Sequence, residues 1–298
     1  MADHFDKDHL IGHVKDATYF EVPRALGDEH GRLHIPQLRD YSEPILSVHT
    51  GVRALDDMLE PLDLKVTKFM VLEFVAAVIV VVLFTMLAGR VAKGGALKGR
   101  FWNLLETMLV FIRDEVARPA IGKHEADKFL PFLWTVFFFV LGCNLLGMVP
   151  WLGSPTGALA TTGAMALITF LVVVGAGMLK MGPVGFWKGQ VPHMDLPGPL
   201  AYILKPGIFA IEVLGLLIKH FVLAVRLLAN MMAGHLVLAV IIAFIAAAWN
   251  SWAIFGVAPA SILGATALSM LELFVAFLQA YIFTFLSALF IGMAVHPH

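Results

Sequence analysis

Two stretches near the C-terminal end, residues 207–249 and 260–294, run without a proline and almost without charge. As helices they reach about 64 Å and about 52 Å, against a bilayer hydrocarbon core of about 30 Å. In hydrocarbon the backbone must satisfy its own polar groups, so apolar runs of this kind are helical. Either each run is broken, or both cross at an unusually steep angle. With no proline to interrupt them, the sequence predicts two long, strongly tilted helices forming a hairpin. Such a pair presents a broad side surface to a partner rather than closing a pore by itself.

The rest of the chain fits the same solvent. Of 298 residues, 59% are hydrophobic and 14% charged, with a mean hydropathy of +0.83, whereas soluble domains carry roughly 25% charged residues. Further spans are expected at about 69–88, 129–149 and 163–179. Between the first two, FWNLLETMLVFIRDEVARP places Phe101, Leu105, Met108, Leu109, Ile112 and Val116 on one helical face. Asn103, Glu106, Arg113 and Asp114 lie on the other, so an interfacial amphipathic helix is expected at about 101–117, although packing against protein helices gives the same pattern. The fold class is an all-α polytopic membrane protein with about five embedded helices and one amphipathic interfacial helix. It divides into a hydrophilic N-terminal segment, 1–67, and a membrane domain, 68–298.

Residues 1–67 hold 13 acids, 7 bases and 6 histidines, and their start shows no basic n-region before an apolar run, so no cleavable signal peptide is expected. The lone cysteine, Cys143, excludes an intrachain disulfide and reads as a packing residue. The connections 90–128 and 180–205 contain 8 and 3 bases, whereas 150–162 and 250–260 contain none. The positive-inside rule then puts the N-terminus and the uncharged loops outside, and the C-terminus inside.

From Pro206 to His298 only Glu212, Lys219, Arg226 and Glu272 are formally charged. Arg226 cannot escape hydrocarbon by losing its proton. Burying it at mid-membrane costs at least about 2.5–3.5 kcal/mol on insertion scales. On a helix, Glu212, Lys219, Arg226 and Asn230 fall within a stripe from about −40° to about +40°, while His220 and His235 face elsewhere. On the last helix Glu272 and Gln279, seven apart, share a face. A carboxylate and an imidazole exchange protons at accessible pH, whereas the arginine is a fixed charge. A proton path needs the first kind of group, and a block against leakage needs the second.

Plainer roles stand beside these. Glu73, near a helix end, reads as an interfacial residue, His220 as a packed core histidine, and Asn144 and Trp134 as helix-packing or interface residues. The N-terminal histidines lack close metal-ligand spacing, and no metal or cofactor is expected. For Arg226 the plain role is a structural ion pair with Glu212 or Glu272.

The run EVLGLLIKHFVLAVRLLANMMAGH, followed by ELFVAFLQAYIFTFLSALF, resembles subunit a of the F-type ATP synthase membrane (Fo) sector. The likeness extends more weakly through PFLWTVFFFVLGCNLLGMVP to the first span, covering roughly residues 65–295. It implies a multi-pass protein of a bacterial plasma membrane or organelle inner membrane. The implied partners are a c-ring, a peripheral stalk and lipid, with no nucleic acid.

Carried over residue by residue, the resemblance makes Arg226 the family's essential arginine, facing the c-ring carboxylate. Asn230 and Gln279 become the polar residues flanking it. Glu212 matches an acid of the half-channel on the ATP-synthesis side, and His235 with Glu272 matches the pair of the opposite half-channel. The acid and histidine of that pair are exchanged relative to many bacterial members, as in mitochondrial-type ones. Lys219 falls where the family often has a base. The implied function is a proton-translocating stator subunit, doing no bond chemistry itself, with the C-terminus on the ATP-synthesis side. A proton-coupled secondary transporter is the competing class. It predicts repeated halves and broken helices, and the charges here gather instead in the last third.

Overall fold

A computed structural model describes residues 16–21, 32–37, 66–93, 99–149, 152–190, 198–249 and 251–296. Among the described residues, five helices are long and apolar enough to cross a membrane. Helix α1 is Lys68–Val91, opened by Thr67, whose side chain accepts from the backbone N–H of Met70. Helix α2 is Arg100–Phe111, and it leads through a π-helical turn, Ile112–Ala117, into the short α3, Arg118–Ile121. Then follow α4 (Lys123–Gly147), a 3₁₀ turn (Pro155–Gly157), α5 (Leu159–Met181) and α6 (Pro183–Gly189). The chain ends in α7 (Gly198–Ala248) and α8 (Ile254–Val295). Ahead of them, β1 (Tyr19–Glu21) pairs antiparallel with β2 (Arg32–His34), an element the sequence reading did not anticipate.

The two long runs are unbroken. Helices α7 and α8 hold 51 and 42 residues, about 76 Å and about 63 Å of helix. Both start earlier than expected, continuing through Pro206 and Pro259. The segment expected as one regular helix over 101–117 is instead interrupted by the π turn. That turn points Ile112, Val116 and Ala117 into the core while Arg113, Asp114 and Arg118 form a surface ion-pair group. Its inward face packs on α4, and the Trp134 indole N–H donates to the Leu109 carbonyl at 3.1 Å. The amphipathic pattern therefore serves protein packing over much of its length.

Helix α8 organises the bundle, packing against α7, α4 and α5, while α1 lies outermost against α4. Its C-terminal half is buried, from Ala276 through Phe283, Ala288 and Ile291 to Val295. At Gly292 the α3 backbone comes so near that a Cβ would meet the Ala120 carbonyl oxygen. The ring of His296 lies 3.1 Å from the Ile121 carbonyl and extends the same seat. Lys180, near the end of α5, reaches Glu125 at the start of α4 at 2.5 Å, so these helices run antiparallel. The turn end of the α7–α8 hairpin stands apart from this core. There the helices splay around a groove of about 590 Å³ lined by Ile241, Phe244, Ala248, Val257, Ser261 and Gly264.

Candidate functional site

Helix α7 lies on the outside of the bundle. Only 6% of its most apolar stretch is buried within the chain, against 50% for α8. Glu212, Lys219 and Arg226 are all exposed and Asn230 is half-buried. The stripe anticipated from helical spacing thus faces away from the core. Arg226 stands among exposed Val222, Ala229 and Ala233, and makes no ion pair among the described residues. The structural pair with Glu212 or Glu272 does not form within the chain.

The residues on α8 face the opposite way. Glu272 is 8% exposed and Gln279 is 4% exposed. Glu272 Oε1, Gln279 Nε2 and His235 Nε2 are buried without a hydrogen-bond partner among the described residues. Buried polar atoms are rarely left unpaired, so such a set marks a place where water or a partner group is expected.

Gly234 explains how Glu272 fits. A Cβ at this position would lie 2.7 Å from Glu272 Oε1, so the absence of a side chain lets the carboxylate rest against α7 beside His235. The contact also fixes the register of the antiparallel hairpin. Seven residues onward in α8 stands Gln279, and seven back along α7 stands Leu227, the neighbour of Arg226. Two helical turns, about 10.5 Å, separate the Glu272 level from the Gln279 and Arg226 level. His235 and Glu272 share one level, although no hydrogen bond joins them directly.

Between these levels enters a group that sequence reasoning took for packing. Asn144 on α4 is fully buried and donates from Nδ2 to the Ala276 carbonyl at 3.3 Å, one turn from Glu272. Its Oδ1 accepts from Thr156 Oγ1 at 2.8 Å, and Thr156 in turn contacts Ser154 Oγ at 2.9 Å. The Ser and Thr of the uncharged 150–162 connection were the available signal. His220 sits between Phe170 and Phe290 with its Nδ1 2.9 Å from the Leu216 carbonyl, a packed core ring as its plainer role anticipated. Of the N-terminal histidines, all but His34 lie outside the described residues.

A long helical hairpin with one charged outward stripe and a set of buried polar groups behind it is the arrangement of a membrane subunit that packs against other chains. The sequence profile of the family described as ATP synthase A chain matches residues 70–292, and the chain belongs to that family. It is similar to ATP synthase subunit a of Myxococcus xanthus (strain DK1622), with 39% identity covering 95% of this chain and 92% of the relative. It is 36% identical to ATP synthase subunit a of Anaeromyxobacter sp. (strain Fw109-5), over 97% of this chain and 70% of that one. ATP synthase subunit a 2 of Chlorobium luteolum is 38% identical over 96% and 75%. The chain is accordingly a non-catalytic Fo subunit of an enzyme complex and a multi-pass protein of an energy-transducing membrane.

Proposed function

We propose that this subunit is the proton-translocating stator of an F-type ATP synthase, providing two offset half-channels to and from the carboxylates of a c-ring. The observation that carries the proposal is the outward, unpaired Arg226. A cation on an apolar helix face needs a compensating charge, and an ionised rotor carboxylate would supply it. Ala229 and Ala233 beside it leave room for a partner helix to approach closely.

Protons enter past His235 and Glu272 and neutralise a c-ring carboxylate, which then turns away into lipid. Nearly a revolution later the carboxyl reaches the second half-channel and releases its proton past Glu212, with Lys219 nearby. Asn230 flanks the charge on the same face of α7, and Gln279 stands at the same level behind it on α8, where it holds water. Arg226 separates the channels, attracting ionised carboxylates and repelling protons that would cross directly. Each proton carries about 2.3 kcal/mol per 100 mV of membrane potential. Residues 68–298 form the membrane part and 1–67 stand outside it. The N-terminus faces the proton-entry side, the C-terminus faces the ATP-synthesis side, and a peripheral stalk holds the subunit still.

Arg226→Ala in the assembled complex tests this, scored for ATP-driven proton pumping and passive leak. Pumping should be lost, with leak maintained or raised. Pumping at wild-type efficiency would refute the assignment.

A further inference from the structure

We propose that Glu73 is the entry step of the proton path that serves Glu272, a carboxylate on the outermost helix that takes protons from water ahead of the His235–Glu272 level. This rests on the half-channel reading above.

Glu73 is the only acid in α1, a helix whose other titratable residues, Lys68 and Arg90, sit near its ends. An interfacial carboxylate with no further role would turn toward solvent. Glu73 is half-buried and turned inward, accepting a 2.6 Å hydrogen bond at Oε1 from the hydroxyl of Thr161, in the first turn of α5. Thr161 is itself only 8% exposed. A charge-assisted bond of this length holds the carboxylate oxygen in a fixed place.

The position of α1 sets what Glu73 can reach. Gly142 of α4 and Ala76 of α1 face each other, a Cβ on the glycine falling 3.7 Å from that of Ala76. Helix α1 also packs against the 3₁₀ turn that follows α4, and Glu73, near its start, bonds Thr161 just beyond that turn, so the two helices are antiparallel. Three residues from Ala76 toward the start of α1 is Glu73, and two from Gly142 toward the end of α4 is Asn144. Glu73 therefore lies level with the buried Ser154–Thr156–Asn144 string, whose far end bonds the Ala276 carbonyl one turn from Glu272. Lys68 lies five residues earlier on the same helix, and Cys143 is the titratable neighbour on α4.

Three tiers follow from this geometry. The first is Glu73 with Thr161, the second the hydroxyl and amide string, and the third Glu272 Oε1 with His235 Nε2, both without protein partners among the described residues. Hydroxyls and an amide can hold a file of water, and water bridges such gaps at small cost. In the step itself, a proton leaves the Glu73 carboxyl and passes along that file to Glu272 or His235. The Glu73 carboxylate so formed takes its next proton from the aqueous side. Nothing is oxidised, and charge balances at each transfer.

The test uses the assembled complex in sealed vesicles, with Glu73→Gln, Glu73→Asp and Thr161→Val compared with Glu272→Gln. Glu73→Gln should slow proton-driven ATP synthesis about fivefold and flatten its dependence on the pH of the entry side. Glu73→Asp should retain most of the rate, and Thr161→Val should shift the pH profile without abolishing flux. Wild-type rates and an unchanged profile in Glu73→Gln, with Glu272→Gln impaired, would overturn the role of Glu73 alone. Full flux in Glu272→Gln would overturn the half-channel reading beneath it. If Glu73→Gln does not assemble, Glu73→Cys in a Cys143→Ala background decides. Blockage by a water-soluble thiol reagent from the entry side supports the proposal, and indifference to the reagent refutes it.

Discussion

Gly234→Ala is the smallest change that disturbs the centre of the proposed entry path. The added methyl would lie 2.7 Å from Glu272 Oε1 and 3.1 Å from its carboxyl carbon. An ordinary carbon–oxygen contact needs about 3.4 Å, so the carboxylate must retreat by about 0.7 Å or rotate away from His235. Overpacking a core generally costs about 1–3 kcal/mol. Here the obstacle is the end of a flexible side chain, which places the cost near 1 kcal/mol. The helices can stay where they are, so the subunit should assemble at close to normal abundance. In the proposed path the displaced group hands on protons, and about 1 kcal/mol on that step would slow transfer roughly fivefold. ATP-driven quenching of a pH-sensitive dye in inverted vesicles measures the rate, with subunit abundance as the control. Shortening the acid with Glu272→Asp should draw the carboxylate back from the methyl, so the double variant should lose less than the sum of the single losses. Undiminished pumping in Gly234→Ala, or strict additivity in the double variant, would refute this account of the glycine.

Two further outcomes follow from the described contacts. Gly292→Ala sets its methyl against the Ala120 carbonyl, a backbone atom that cannot rotate aside, so a loss of about 1–3 kcal/mol should appear as a lower thermal midpoint of the purified subunit. Asp114 is held below the usual carboxylate range chiefly by the hydrogen bonds that Arg113 donates to it. A depressed folded value means that its contribution is complete above the ordinary carboxylate range and is lost as pH falls through the lowered value. Hydrogen-exchange protection of residues 112–121, referenced to a coil peptide at each pH, should fall on acidification in the wild type and stay flat in Asp114→Asn.

The long helices and the membrane setting were legible because hydropathy and length act through the solvent, which every residue in a span feels alike. The outward stripe was legible in part. Spacing put Glu212, Lys219, Arg226 and Asn230 on one face, but the same spacing cannot say whether that face meets the bundle or leaves it. The π turn at Ile112–Ala117 was hidden, since Ile112 and Val116, four apart, suit an α-helical and a π-helical turn alike. Gly234 and Gly292 were silent for a similar reason. Their importance lies in what approaches them, Glu272 and Ala120, and each of those sits far away in sequence or on another helix. Asn144 read as packing because its partners, Ala276 and Thr156, come from separate elements.

The burial of α8 is lopsided, with its C-terminal half wedged against α3, α4 and α5 and its first half splayed around the groove at the hairpin turn. In mechanical terms the hairpin is a beam clamped at one end and free at the other. A rotor dragging sideways on the face of α7 would bend the free end more than the clamped one. If the proposed rotor partner is seated there, the contacts of Gly292, Ala120 and His296 would bear the bending moment, and their stiffness would set how much of each step is lost to flexing.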